Sequence, residues 1–317
     1  MRSHPIMLFV VAFLLSGNQL VAAQTLDRAL NSFESAVKKS RNGNLDGAIA
    51  DYTKAIEASR LGGAQRGNNR NGFNSSSDDD GITLVDPLTA RAYTNRGILL
   101  YKKGDLDHAL ADINAAIRIS PGLAGAYVAR GAVRRAKNDI KGALADFERG
   151  LTIDRNLSEA YNQRADLLLD LGDIDAALAD IKHSLEINPR SPDPHHLLGY
   201  ARFARKDFDG SIAEFDRAIE LNPKKAWAYQ GRGAARMAKG DFESAILDFG
   251  RALELNSKIA VAYMNRGLAL LLLGRDVEAQ QDFDQCLLLR PDLRSDLDSR
   301  IQLAKELREA KPNSQRQ

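Results

Sequence analysis

A single cysteine, Cys286, stands among the 317 residues, so no disulfide can form within the chain and its stability has to come from packing. Charge of one sign is missing too. The 44 lysines and arginines against 42 aspartates and glutamates leave a formal net charge of +2, which offers a polyanion such as nucleic acid little to follow. Beyond the first fifteen residues no long apolar run occurs, and that first run, IMLFVVAFLL at 6–15, is short of the roughly 18–20 residues that span a bilayer. The motifs of chemistry are lacking as well: there is no glycine loop to cradle a phosphate, no metal-ligand histidine spacing and no nucleophile elbow. Of the five histidines, only His195 and His196 are neighbours, and on a helix they point about 100° apart, so they do not readily share one ion. These absences exclude the usual signatures of catalysis. We expect no catalytic residue, no metal and no cofactor.

What is present begins with the N-terminus. MRSHP precedes the apolar run, and SGNQLVAA follows it before Gln24, the order of a secretory signal peptide over 1–23 with a cut after Ala23. No cysteine follows the run, which argues against lipoprotein processing. The expectation is an exported chain, periplasmic or secreted, without a stable membrane anchor once the signal is removed.

The stretch YTNRG at 93–97 returns as YVARG at 127–131, YQGRG at 229–233 and YMNRG at 263–267, with YNQRA at 161–165 as a variant. Aligned on these, the chain from 90 to 293 divides into six blocks of 34 residues that begin at Ala90, Ala124, Ser158, Pro192, Ala226 and Ala260. Counting from each start, position 8 is glycine or alanine, position 20 is alanine or serine, position 24 is Ile or Phe, and position 27 is small, Cys286 among them. A polar turn near position 15 splits each block into two stretches of helical pattern. Two antiparallel helices per block result, with small residues where backbones approach and large ones beside them. Pro121, Pro189, Pro223 and Pro291 at position 32 mark where the second helix stops.

These spacings resemble the tetratricopeptide repeat family. The resemblance implies an all-α right-handed solenoid of helical hairpins, here about seven with a capping helix, that binds a protein or peptide partner in its concave groove. A degenerate first repeat is expected over 24–59, since NGNLDGAIADYTKAIEA at 42–58 matches the second half of the motif. A flexible insertion rich in Gly, Asn, Ser and Asp is expected over 60–89, and a capping helix and tail over 294–317.

In this family the groove is lined chiefly by positions 2, 5, 9 and 12 of the first helices. The partner-binding residues implied are Asn162, Asp166, His196, Tyr200, Phe203, Trp227, Gln230, Met237, Met264 and Leu271. The C-terminal half of this set is aromatic and rich in methionine, the composition of an adaptable partner surface; the competing reading is that these side chains pack between neighbouring helices or against the terminal one. A Lys and Asn clamp for acidic peptides, known from some relatives, is not reproduced in any three blocks.

Position 7 carries Arg96, Arg130, Arg164, Arg232 and Arg266, and position 23, level with it on an antiparallel hairpin, carries Asp112, Asp146, Asp180, Asp248 and Asp282. A structural ion pair in each block explains this better than a ladder for phosphates. The block at 192 has Leu198 and Glu214 instead. The sequence therefore reads as a non-enzymatic scaffold or adaptor of the cell envelope that binds a protein or peptide in its concave groove. The alternatives are a non-catalytic subunit of an envelope enzyme or assembly complex, or a self-associating structural protein.

Overall fold

The computed structural model describes residues 17–67 and 87–310, and among them it contains fifteen α-helices, one 3-10 turn and no strand. Two compact units divide the chain at Gln163 and Arg164. In the first, α1 (Gly17–Arg41) pairs with α2 (Leu45–Gly67), α3 (Pro87–Lys102) with α4 (Leu106–Ile119), and α5 (Ala124–Ala136) with α6 (Ile140–Ile153). Helix α7 (Ser158–Asp170) contains the division. The second unit continues with α8 (Ile174–Ile187), the pair α9 (Pro192–Ala204) and α10 (Phe208–Leu221), the pair α11 (Ala226–Ala238) and α12 (Phe242–Leu255), and the pair α13 (Ala260–Leu272) and α14 (Asp276–Leu289). A 3-10 turn at Pro291–Leu293 leads into α15 (Arg294–Glu309).

The turn inside each hairpin follows from two residues. Gly43, Gly104, Gly172, Gly240 and Gly274 take the left-handed conformation that ends a helix, with φ between 78° and 84°. Asn138 and Lys206 do the same job at φ of 63° and 62°, a conformation that costs a lysine more than a glycine. The next residue is an aspartate in five hairpins, Asp105, Asp139, Asp173, Asp207 and Asp241, and its carboxylate accepts from a backbone N–H in the first turn of the second helix. The "GD" of the repeat is thus a stop signal followed by a start signal.

Within a hairpin the glycine at position 8 meets the large side chain at position 24. A Cβ on Gly131 would stand 2.6 Å from the Phe147 ring, and one on Gly267 would stand 2.5 Å from Phe283, so the two helices approach only because that atom is missing. Phe147, Phe215 and Phe249 are fully buried in this way, and truncating one to alanine costs about 3–5 kcal/mol. The second helices end at the same register with or without the proline: α6 stops at Ile153 and α12 at Leu255, where Arg155 and Ser257 stand at position 32.

Two boundaries differ from the sequence reading. The segment expected as a loop from residue 60 remains helical to Gly67, because its Arg, Leu, Ala and Gln residues are good helix formers and continue α2. At the other side α3 starts at Pro87, a residue suited to the first turn of a helix, rather than at Ala90. Residues 68–86, with most of the expected insertion, and residues 1–16, with most of the expected signal, lie outside the described residues. No described helix is long and apolar enough to cross a membrane.

Candidate functional site

The five arginines at position 7 each clamp an aspartate through two parallel bonds. Arg96 reaches Asp112 at 2.7 and 2.7 Å, Arg130 reaches Asp146 at 2.9 and 2.7 Å, and Arg164 reaches Asp180 at 2.7 and 2.7 Å. Arg232 holds Asp248 at 2.9 and 2.6 Å, and Arg266 holds Asp282 at 2.7 and 2.7 Å. The aspartates are almost wholly buried, while the arginines keep an edge in solvent. The Asp146 and Asp282 carboxylates push the Arg130 and Arg266 guanidinium groups above their ordinary range, outweighing burial. Tyrosine at position 4 lies beneath the same guanidinium, with Arg130 5.3 Å from the Tyr127 ring and Arg232 5.6 Å from Tyr229.

The free Nη1 of these arginines does something the spacing did not reveal. In three of them it donates to position 25 of the preceding hairpin: Arg96 to Thr53 at 2.9 Å, Arg130 to Asn114 at 3.0 Å, Arg232 to Asp216 at 2.6 Å. Each such rung therefore ties its own two helices and the hairpin before it. Two further arginines at position 11, Arg134 and Arg236, add a second cation to Asp146 and Asp248, both at 2.8 Å. That pairing was readable in principle from the recurrence of arginine four residues after position 7. With every one of these guanidinium groups engaged in the fold, none of them is presented to a ligand as a ladder.

The block at 192 departs from this scheme. Leu198 replaces the arginine, and Glu214 accepts instead from His195 Nδ1 at 2.9 Å and lies 3.3 Å from Arg202. His195 thus substitutes for the packing tyrosine and also closes the rung.

The same block carries the aromatic residues of the predicted groove. His196 stacks on Trp227 with ring centroids 4.0 Å apart and an interplanar angle of 20°. Tyr200 meets His196 edge-on at 4.7 Å and Phe215 edge-on at 5.3 Å. Phe215 reaches this cluster from the second helix because position 6 of the next block is Gly231, where a Cβ would stand 2.3 Å from the ring. Lys225 lies over Trp227 with Nζ 5.4 Å from the ring, and 3.5 Å from Asp193. Neither Phe215 nor Lys225 is among the groove positions of the sequence pattern. Their signal is the glycine at 231, which no other block has at position 6.

Burial, with a smaller push from Lys225, lowers the His196 imidazole to about 3, so the ring is neutral, and its Nε2 is buried without a hydrogen-bond partner. Burial and the Asp166 carboxylate raise the Tyr200 phenol to about 12. This is a neutral, aromatic face with one unsatisfied polar atom, edged by a lysine and a carboxylate. It is suited to apolar and amide groups rather than to strong charge.

The other predicted groove residues divide. Phe203 turns toward Phe208 of its own hairpin, with centroids 5.4 Å apart. Gln230 is half-buried. Asn162 is buried, and its Oδ1 has no partner. Met264 and Leu271 are a correction: each is only 4% exposed, inside a core with Leu268, Leu297 and Ala304, so they offer a partner no surface. The cause is α15, which lies against α13 and sends Arg308 to the Leu271 carbonyl at 3.1 Å. Met237 is half-buried against the same core. Cys286 is wholly buried there, and burial pushes its thiol up. Among the described residues no group of three or more His, Cys, Asp or Glu side chains is placed to hold a metal ion.

Family models described as tetratricopeptide repeat match residues 90–123, 158–191 and 231–290, and one described as TPR repeat matches 199–240. The first two coincide with blocks of the 34-residue register, and the four together cover about half of the chain. The chain belongs to the tetratricopeptide repeat family. Among solved structures it is similar to a tetratricopeptide repeat protein from Parabacteroides merdae, with 19% identity over 88% of this chain and 99% of that one and a TM-score of 0.61. It is also similar to a chain of the APC/C hetero-tetramer Cut9–Hcn1, at 16% identity over 81% of this chain and 52% of that one, TM-score 0.60. A third is pilF of Pseudomonas aeruginosa, at 17% identity over 64% and 92%, TM-score 0.54. Such identities carry the fold alone. No curated protein matches the chain in sequence. Proteins of this family are in general scaffolds that bind other proteins, and that coarse description applies here.

Proposed function

We propose that the protein is an exported, non-enzymatic scaffold of the cell envelope that holds a protein or peptide partner against the first-helix face of its second unit. The observation that carries this reading is the cluster of His196, Tyr200 and Trp227, three rings packed together that each keep part of their surface in solvent. Aromatic side chains with one polar edge are the common anchors of protein interfaces. The order of residues 1–23 supports export.

Crosslinked capture from envelope extract tests the site. Trp227→Ala is expected to deplete the captured partner while lowering stability by no more than about 1–2 kcal/mol; capture of the same partner at the same yield overturns the assignment. N-terminal sequencing of the protein from fractionated cells tests the placement, which requires a mature chain that begins at Gln24 outside the cytoplasm.

A further inference from the structure

The turn that joins α6 to α7 in the first unit carries two polar side chains for which the repeat has no use. Position 33 is Gly122, Arg190, Lys224, Lys258 and Asp292 in the other blocks, and here it is Asn156. Position 1 of the helix that follows is Ala90, Ala124, Pro192, Ala226 and Ala260 elsewhere, and here it is Ser158. Neither departure serves the fold. The turn is closed by backbone groups, with the Asn156 N–H donating to Asp154 Oδ1 at 2.9 Å just as Lys224 and Lys258 donate to Asn222 and Asn256, both at 3.0 Å. The Asn156 carboxamide and the Ser158 hydroxyl bond to none of the described residues.

Together these two residues make a chemical pattern. Asn156-Leu157-Ser158 is an asparagine, a residue other than proline and a serine, the acceptor sequence for an N-linked sugar. Among the described residues no other asparagine has a serine or threonine two places on. The fold also presents it: Asn156 is exposed in the turn between Ile153 and Ser158, and Thr152, Asp154, Arg155 and Glu159 around it are exposed as well, which leaves room for a bulky group. Arg155 stands where Pro121, Pro189, Pro223 and Pro291 stiffen four other turns, so the backbone before the asparagine is free to be drawn out into a transferase.

We propose that Asn156 is a site of N-linked glycosylation, with a polyprenyl-diphosphate-linked oligosaccharide as the donor. Asn156 Nδ2 forms the bond to the anomeric carbon of the first sugar, the bond from that carbon to the diphosphate oxygen breaks, polyprenyl diphosphate leaves, and one Nδ2 proton passes to a base of the transferase. Nothing is oxidised or reduced. The inference rests on the export reading given above, because such donors serve chains that have been delivered across a membrane.

The test is made on the protein purified from its own fractionated cells, by mass spectrometry of the intact chain, of its N-terminus and of the peptide that contains Asn156. The expected result is a chain outside the cytoplasm that begins at Gln24 and carries one oligosaccharide on that peptide. Asn156→Gln and Ser158→Ala each remove the added mass from the peptide completely, whereas Ser158→Thr keeps it. Matching thermal midpoints by circular dichroism establish that the variants are folded. An unmodified Asn156, or a modification that survives Ser158→Ala, overturns the inference. The N-terminus then tells the two failures apart: a chain that begins at Gln24 outside the cytoplasm leaves export standing, and one that keeps residues 1–23 inside it removes both.

Discussion

The block at 192–225 and the other repeats face the same packing problem and solve it with different residues. Elsewhere a tyrosine, an arginine and an aspartate form the rung; here a histidine, a leucine and a glutamate stand at those positions, with Arg202 added. The regular rung reaches back to the preceding hairpin in three blocks, whereas Glu214 is held by residues of its own hairpin alone. This same block supplies His196 and Tyr200 to the aromatic cluster. The repeat that departs most from the shared bracing is thus the one that presents the most distinctive surface. Where position 7 lacks arginine, positions 4 and 23 differ from the other repeats as well.

Removing an arginine is the most direct way to break the comparison. Arg266→Leu leaves Asp282 buried with no cation among the described residues and is expected to cost about 2–4 kcal/mol in urea unfolding, somewhat below the limit for a fully buried pair because the arginine is partly solvated. Arg202→Leu in the divergent block is expected to cost under about 1 kcal/mol, since Glu214 retains His195. Equal losses at the two positions would mean that the rungs do not differ.

A smaller effect comes from pH. The folded His196 titrates near 3, below the ordinary histidine value of 6.5, so the unfolded chain takes up the proton first. Its contribution to stability is complete above 6.5 and declines as pH falls toward 3. Between pH 6.5 and 5 the loss is about 2 kcal/mol. His196→Phe keeps the stacking and removes this slope; an unchanged difference in unfolding free energy between the two pH values would show that His196 is not the titrating group.

The smallest change is expected when the divergent rung is rebuilt. His195→Tyr, Leu198→Arg and Glu214→Asp together should leave stability within about 1 kcal/mol, because position 25 of the preceding block is Lys182 and offers the new arginine no acceptor. A gain well beyond that in denaturant unfolding would mean that the pair inside one hairpin provides most of a rung's strength.

Much of this architecture was legible in the residues. The 34-residue period sets the register, and the register alone places arginine at position 7 level with aspartate at position 23. The position 25 acceptors were not legible, because Thr53, Asn114 and Asp216 share no residue type, only a place. The depth of the groove was not legible either. Whether Met264 and Leu271 face solvent depends on where α15 lies, and its lean toward α13 comes from a helix outside the repeating pattern. The continuation of α2 to Gly67 was hidden by glycines that suggested a loop, although the residues between them favour helix.

A stack of repeats unfolds through a balance between the strength of each unit and its coupling to the next. A guanidinium that bonds forward to its own hairpin and backward to the previous one belongs to both terms at once, so the regular rungs convert local stability into cooperativity. Between α8 and α9 no such half-buried bond exists among the described residues, and the charged contact spanning them is the exposed pair of Arg205 and Asp175. The α8–α9 and α12–α13 junctions, where position 25 is Lys182 and Gly250, therefore rest on apolar packing without a backward rung, and coupling along the second unit alternates with the residue at that one position.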